Sequence, residues 1–167
     1  MSEPEGSAEQ DLPVDSDSPE PDVFRQRSRA GRRWDIALVI AAGGAVGGGA
    51  RYLLTSSWPH AAGGFPWATF VENVSGSLLL GALMVFLLEV WRPRRYTRPF
   101  LGVGVLGGYT TFSTYTADID ALLRAGAVPI ALAYLFGTLA AGFLATWTGL
   151  TVARRAVGIT NASRRTA

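Results

Sequence analysis

The chain has no cysteine and no lysine, and its single histidine, His60, stands between Pro59 and Ala61. Without cysteine there is no disulfide framework, thiolate metal site, redox CxxC pair or cysteine nucleophile. One histidine cannot build a polyhistidine metal site. A serine–histidine–acid constellation would have to pass through His60, in a chain with no G-x-S-x-G. Convergent acid, base and nucleophile are missing, so no enzyme is expected. Charge is scarce too, at 17% of 167 residues, with 15 basic against 13 acidic side chains. That excess is too small to point to a nucleic-acid partner, even at an isoelectric point near 9.4. No internal repeat of roughly 20–50 residues is present.

What is present is apolar. Hydrophobic residues make up 49% of the chain and the mean hydropathy is +0.22, too high for an ordinary soluble domain of this size. Four apolar segments, 36–54, 67–90, 100–123 and 127–152, each approach the roughly 20 residues that cross about 30 Å of hydrocarbon. The expected fold is therefore an all-α membrane protein of four transmembrane helices. Trp34, Trp58, Trp67, Trp91 and Tyr96 stand at or beside the segment ends, where amphipathic rings favour the interface.

Three blocks follow from composition: a tail over 1–34, a membrane unit over 35–153 and a basic tail over 154–167. The first tail opens with acids among Ser and Pro and is expected to be disordered. It turns basic at Arg25, Arg27, Arg29, Arg32 and Arg33, where arginines would meet anionic headgroups of the bilayer. A signal peptide would place positive charge first and apolar residues next, so no cleavage is expected.

In the first apolar segment, Gly43-x-x-x-Gly47 and Gly44-x-x-x-Gly48 form a small-residue face on which backbones approach closely, inside one subunit or across a dimer. The third segment reads Leu101-Gly-Val-Gly-Val-Leu-Gly-Gly-Tyr-Thr-Thr-Phe-Ser-Thr-Tyr-Thr-Ala-Asp118. Its G-x-G-x-x-G lacks a βαβ setting and a ribose-binding acid, so it is not a dinucleotide fingerprint. The pair Gly107 and Gly108, followed by Thr110, Thr111, Ser113 and Thr114, predicts a helix interrupted at the bilayer midpoint. Irregular backbone at that depth survives only where it lines a cavity or binds an ion. In the second segment, Asn73 either ties helices together or meets a solute. Glu72, five positions past Trp67, is expected to reach water near the interface.

These residues resemble the CrcB or Fluc fluoride channels over 35–152. Gly107-Gly-Tyr-Thr-Thr-Phe-Ser-Thr114 resembles that family's break in helix three. Asn73-x-x-Gly76-x-x-x-x-Gly81 resembles its helix-two motif, and Gly48-Gly-Ala-Arg-Tyr52 the end of its helix one. The resemblance implies four-helix subunits paired as an antiparallel, dual-topology dimer, with two fluoride pores and one structural sodium ion (Na+) at the centre. The sodium ligands it implies are the backbone carbonyls of Gly107 and Thr110. Two hard oxygens from each of two subunits suit an alkali cation, and an unwound turn frees carbonyls that a continuous helix would consume.

Fluoride is small and strongly hydrated, so its pore must replace water by donors without a fixed charge that would trap it. The implied pore residues are Asn73, Phe112, Ser113, Thr114 and Tyr115, with Tyr134 and Thr138 as a polar track on helix four. Amide and hydroxyl groups donate hydrogen bonds, and an aromatic edge carries the positive part of the ring quadrupole. Tyr115 departs from the family's phenylalanine, and its phenol either donates or redirects the ring. Arg51 either serves a vestibule, concentrating anions, or is an interfacial anchor.

The expected function is passive, fluoride-selective export across the plasma membrane. A proton-coupled small multidrug exporter would need a membrane carboxylate in the first helix, and 36–54 has none, leaving only Glu72. A membrane scaffold is the other rival. The tails and the 92–99 loop share one side and carry all the arginines except Arg51 and Arg124. The positive-inside rule then puts both termini in the cytoplasm. That bias predicts either a fixed orientation, with pairing to a related, paralogous chain of opposite bias, or a single chain that inserts both ways because arginines in the long tail and at helix margins count less than those in short loops.

Overall fold

The computed structural model describes residues 23–90 and 95–158, with side chains from Trp34 onward. The expected tails at 1–22 and 159–167, and Trp91 with Arg92 and Arg94 of the loop, lie outside the described residues. Helix α1 spans Val23–Ser57 and α2 spans Trp67–Val85, prolonged by a π-helical turn over Phe86–Val90. A second π-helical stretch, Arg98–Leu106, leads into the short α3, Gly107–Tyr109. Helices α4, Phe112–Arg124, and α5, Val128–Ala156, complete the described chain. There is no strand among the described residues.

Three stretches are long and apolar enough to cross a bilayer: Trp34–Ser57, Trp67–Val90 and Val128–Ala156, with mean hydropathies of 1.5, 1.8 and 1.9. The apolar run at 100–123 does not form a fourth such helix. It is divided among the π-helical stretch, α3 and α4, and the expected interruption lies between Tyr109 and Phe112. At the other end α1 begins at Val23, so the arginine-rich stretch of the expected tail is helical backbone.

Small residues set the packing. A Cβ at Gly43 would run into Phe100 O, and one at Gly47 into Val105 O. Those two glycines of the first-segment motif are therefore spent inside the subunit, on Arg98–Leu106. Gly81 and Gly149 do the same between α2 and α5, against the Thr146 and Leu78 carbonyls. Without a hydrophobic drive between helices in lipid, such close backbone approach is what holds them.

Helix α4 ends in a Schellman turn. Gly126, at φ +73°, adopts the left-handed conformation, its N–H donates to Leu123 O at 3.0 Å, and the Ala127 N–H donates to Leu122 O at 3.0 Å. This turn sends α5 back along α4, and Tyr115, Leu122, Ala131 and Tyr134 form the buried apolar cluster between them.

Two ion pairs tie neighbouring segments together. Arg95 Nη2 lies 2.7 Å from Asp35 Oδ2, which also accepts from the Tyr96 hydroxyl at 2.9 Å. Arg154 Nη2 lies 2.7 Å from Glu89 Oε1, joining α5 to the turn that follows α2.

Candidate functional site

The site is built on the break. Thr110 still closes a helical turn, its N–H and hydroxyl both donating to Leu106 O, at 3.0 and 2.9 Å. Its ψ of 154° then turns the chain into extended backbone, and Thr111 follows at φ −147°, ψ 127°. The side-chain amide of Asn73 pairs with both backbone groups of the buried Thr111. Thr111 N–H donates to Asn73 Oδ1 at 2.9 Å, and Asn73 Nδ2 donates to Thr111 O at 3.0 Å. Hydrocarbon offers no water to these groups, so the amide does the work that a neighbouring strand does in a sheet.

Two carbonyls lose their helical donors in consequence. The Thr111 N–H, which in an unbroken helix would serve Gly107 O, is taken by Asn73. The Thr114 N–H, which would serve Thr110 O, is captured at 3.1 Å by the Thr111 hydroxyl, the N-cap of α4. Arg51 Nη1 approaches Thr110 O to 3.5 Å. The Ser75 and Tyr109 hydroxyls share a hydrogen bond of 3.0 Å just ahead of the break. Gly76 lies flush against it, because a Cβ there would strike the Thr110 methyl.

Beside the break lies a cavity of about 440 Å³ between α2, the broken segment and α5. Asn73, Thr110, Thr111, Phe112, Tyr115 and Thr138 are on its wall, and among the described residues no charged side chain lines it. Thr138 is buried and its hydroxyl has no partner. Asn73 spends one amide hydrogen on Thr111 and retains a second. Phe112 is 76% exposed, its ring centroid 5.9 Å from that of Tyr115. The wall thus offers neutral donors and ring surfaces, which can hold a small anion without trapping it.

Among the residues singled out from sequence, Asn73, Phe112, Tyr115, Thr138, Gly107 and Thr110 meet at this cavity. Ser113, Thr114, Tyr134 and Arg51 are not on its wall. Ser113 and Thr114 are hydrogen-bonded to the Thr111 hydroxyl at 3.3 and 3.1 Å. Tyr134 is fully buried, its ring edge-on to Phe65 and its hydroxyl donating to Asp118 Oδ2 at 3.1 Å. The Tyr115 phenol donates to Leu135 O at 2.7 Å, which ties the ring to α5.

One expectation fails. Glu72 does not reach water; it is 0% exposed, with Oε1 accepting from the Thr55 hydroxyl at 2.7 Å and Oε2 unpartnered. Counting from Trp67 places the position near the interface, but the end of α1 reaches it through Thr55. Asp118 and Thr55 were not singled out from sequence. The acid within the third apolar segment was the available signal for Asp118; nothing local marks Thr55, whose role depends on where α1 ends.

Membrane-length helices around an interrupted segment, with a cavity of mixed apolar and hydroxyl or amide lining at the interruption, define a helical membrane protein. Residues 38–150 match the family described as CrcB-like protein, Camphor Resistance (CrcB). Over 134 residues the chain is 47% identical to Fluoride-specific ion channel FluC 3 of Streptomyces avermitilis, covering 80% of this chain and 64% of that protein. It is 50% identical over 123 residues to Fluoride-specific ion channel FluC 2 of Nocardia farcinica, covering 74% and 88%. It is 41% identical over 123 residues to Fluoride-specific ion channel FluC of Rhodospirillum centenum, covering 73% and 98%. The chain belongs to the CrcB-like family, a family of membrane channels and not of enzymes.

Proposed function

We propose that this chain is a subunit of a passive, fluoride-selective channel that exports fluoride from the cytoplasm across the plasma membrane. The observation that carries the reading is the uncharged cavity at the break, with Asn73 and Thr138 among its lining residues and the buried Thr138 hydroxyl left without a partner. The relatives' names supply the ion. Neutral donors replace part of the hydration shell, while the absence of a fixed charge lets the ion leave. Phe112 and Tyr115 contribute their rings to the wall, and Ser113, Thr114 and Tyr134 hold the frame behind them. The proton-coupled exporter fits less well, because Glu72 is closed off and absent from the cavity wall.

The assembly we propose has four crossings per subunit, the broken segment being one of them, and two subunits packed antiparallel. The carbonyls of Gly107 and Thr110 fit a structural sodium ion, since both are relieved of their helical donors. When bound, sodium supplies positive charge and a rigid crosslink at the subunit junction. Both termini face the cytoplasm, and the partner is a related chain of opposite arginine bias.

Fluoride-electrode recordings on liposomes test the function. Efflux down a fluoride gradient alone is expected; dependence on a pH gradient, or no efflux from the chain with its partner, refutes it. Cysteines placed at both termini and probed with an impermeant thiol reagent in intact cells test the orientation. Labelling of half the molecules from outside would sink a fixed orientation, as would full activity of the chain alone.

A further inference from the structure

Glu72 stands outside the site described so far. It is fully buried, adjoins Asn73 in sequence and does not line the cavity. Among the described residues no ion pair includes it, although Arg51 on α1 and Asp118 on α4 lie within electrostatic reach. Its side-chain partner is the Thr55 hydroxyl, 2.7 Å from Oε1, and Oε2 has none. An ionised carboxylate presents about four lone-pair sites to donors, and here a single hydroxyl would have to serve them. A buried charge so poorly compensated is costly, and such a group takes up a proton instead.

Hydrogen accounting at Thr55 points the same way. That hydroxyl has one hydrogen and stands near two oxygens, Glu72 Oε1 at 2.7 Å and the carbonyl of Arg51, one helical turn earlier, at 3.0 Å. With an ionised carboxyl both oxygens are acceptors, and one hydrogen cannot serve both well. With a neutral carboxyl every hydrogen has a place: the acid O–H donates to Thr55 Oγ1, and the Thr55 hydroxyl donates to Arg51 O. A separation of 2.7 Å is ordinary for an O–H···O bond. Oε2 is then an unpartnered carbonyl oxygen, a smaller penalty than an unpartnered anion.

We infer that Glu72 is a neutral carboxylic acid that gives its proton to Thr55, tying the end of α1 to α2 next to Asn73 and, resting on the channel reading above, keeping fixed negative charge away from the fluoride route. Helix α1 packs mainly on Arg98–Leu106 and α3 and touches α2 only lightly, so this hydrogen bond joins two helices with little other contact. Glutamine can replace the acid in that bond without changing the charge, because its amide also donates.

Infrared difference spectroscopy of the assembly in lipid at neutral pH tests the assignment. The C=O stretch of a protonated carboxyl is expected in the unsubstituted protein and absent from Glu72→Gln. Thr55→Val is expected to keep that band and shift it, and Thr55→Ser to return it. No band lost in Glu72→Gln, or a band that Thr55→Val leaves unmoved, overturns the inference. Should Glu72→Gln not assemble, labelling the glutamates with carbon-13 decides: a protonated-carboxyl band that does not move on labelling overturns it. In fluoride-efflux recordings, Glu72→Gln is expected to leave half-saturating fluoride within about twofold, because no charge is removed beside the anion route. A larger fall means that Glu72 was ionised, and also overturns the inference. An unsubstituted assembly that passes no fluoride strikes the channel reading, while the infrared band decides the protonation of Glu72 by itself.

Discussion

Replacing Asn73 by alanine separates the two tasks its amide performs. The substitution leaves the Thr111 N–H and carbonyl without the partners they have at 2.9 and 3.0 Å. Each orphaned buried group costs about 1–3 kcal/mol, so the pair costs about 2–6 kcal/mol. Against a total stability of about 5–15 kcal/mol for a folded domain, that is a large loss confined to one point of the chain. The break is expected to open locally before the helices separate. Hydrogen exchange at the Thr111 amide reads this directly: protection there should fall by at least about tenfold, which is about 1.4 kcal/mol, while amides in the middle of α5 stay protected. Phe112→Ile is the control. The ring is exposed and holds no backbone group, so stability should change by no more than about 0.5 kcal/mol while fluoride flux falls. Unchanged protection at Thr111 in Asn73→Ala would refute the pairing as the support of the break, and unchanged flux in both variants would refute the pore lining.

Tyr115→Phe removes the hydrogen bond to Leu135 O and should cost about 0.5–1.5 kcal/mol in detergent unfolding. Flux should stay within about twofold, since the hydroxyl is spent on α5; a collapse of flux would show that the phenol serves the ion. Gly76→Ala forces a methyl against Thr110 and should destabilise by about 1–3 kcal/mol. Thr110→Ser in the same chain, which keeps the hydroxyl and deletes the methyl, should recover most of that loss; no recovery would place the strain elsewhere. Sodium is expected to be retained and not transported, so sodium-22 should not accompany fluoride, and activity should decline on prolonged sodium removal. Persistence of activity without sodium would count against the carbonyl site.

The class of this protein was legible before any coordinates, because lipid leaves few choices. Apolar stretches of bilayer length are helices, since hydrocarbon satisfies no backbone group. The interruption was legible for the same reason: paired glycines beside four hydroxylated residues weaken a helix where a break needs a purpose. Asn73 stood out because an amide in hydrocarbon must be paired. Which pairing it makes did not follow, because Thr111 is 38 positions away and its peptide is available only once the break has formed. The first-segment glycines marked a close approach, and only packing showed that Gly43 and Gly47 meet Arg98–Leu106 within the same subunit. Tyr134 and Thr138 share a helix face, yet one hydroxyl is claimed by Asp118 and the other is buried without a partner. Glu72 was misplaced because distance from the segment end stood in for depth, whereas burial depends on Thr55, 17 residues earlier. Local sequence determines which groups cannot be left unpaired in a membrane; the partner each one finds depends on contacts between segments far apart in the chain, and those exist only in the folded structure.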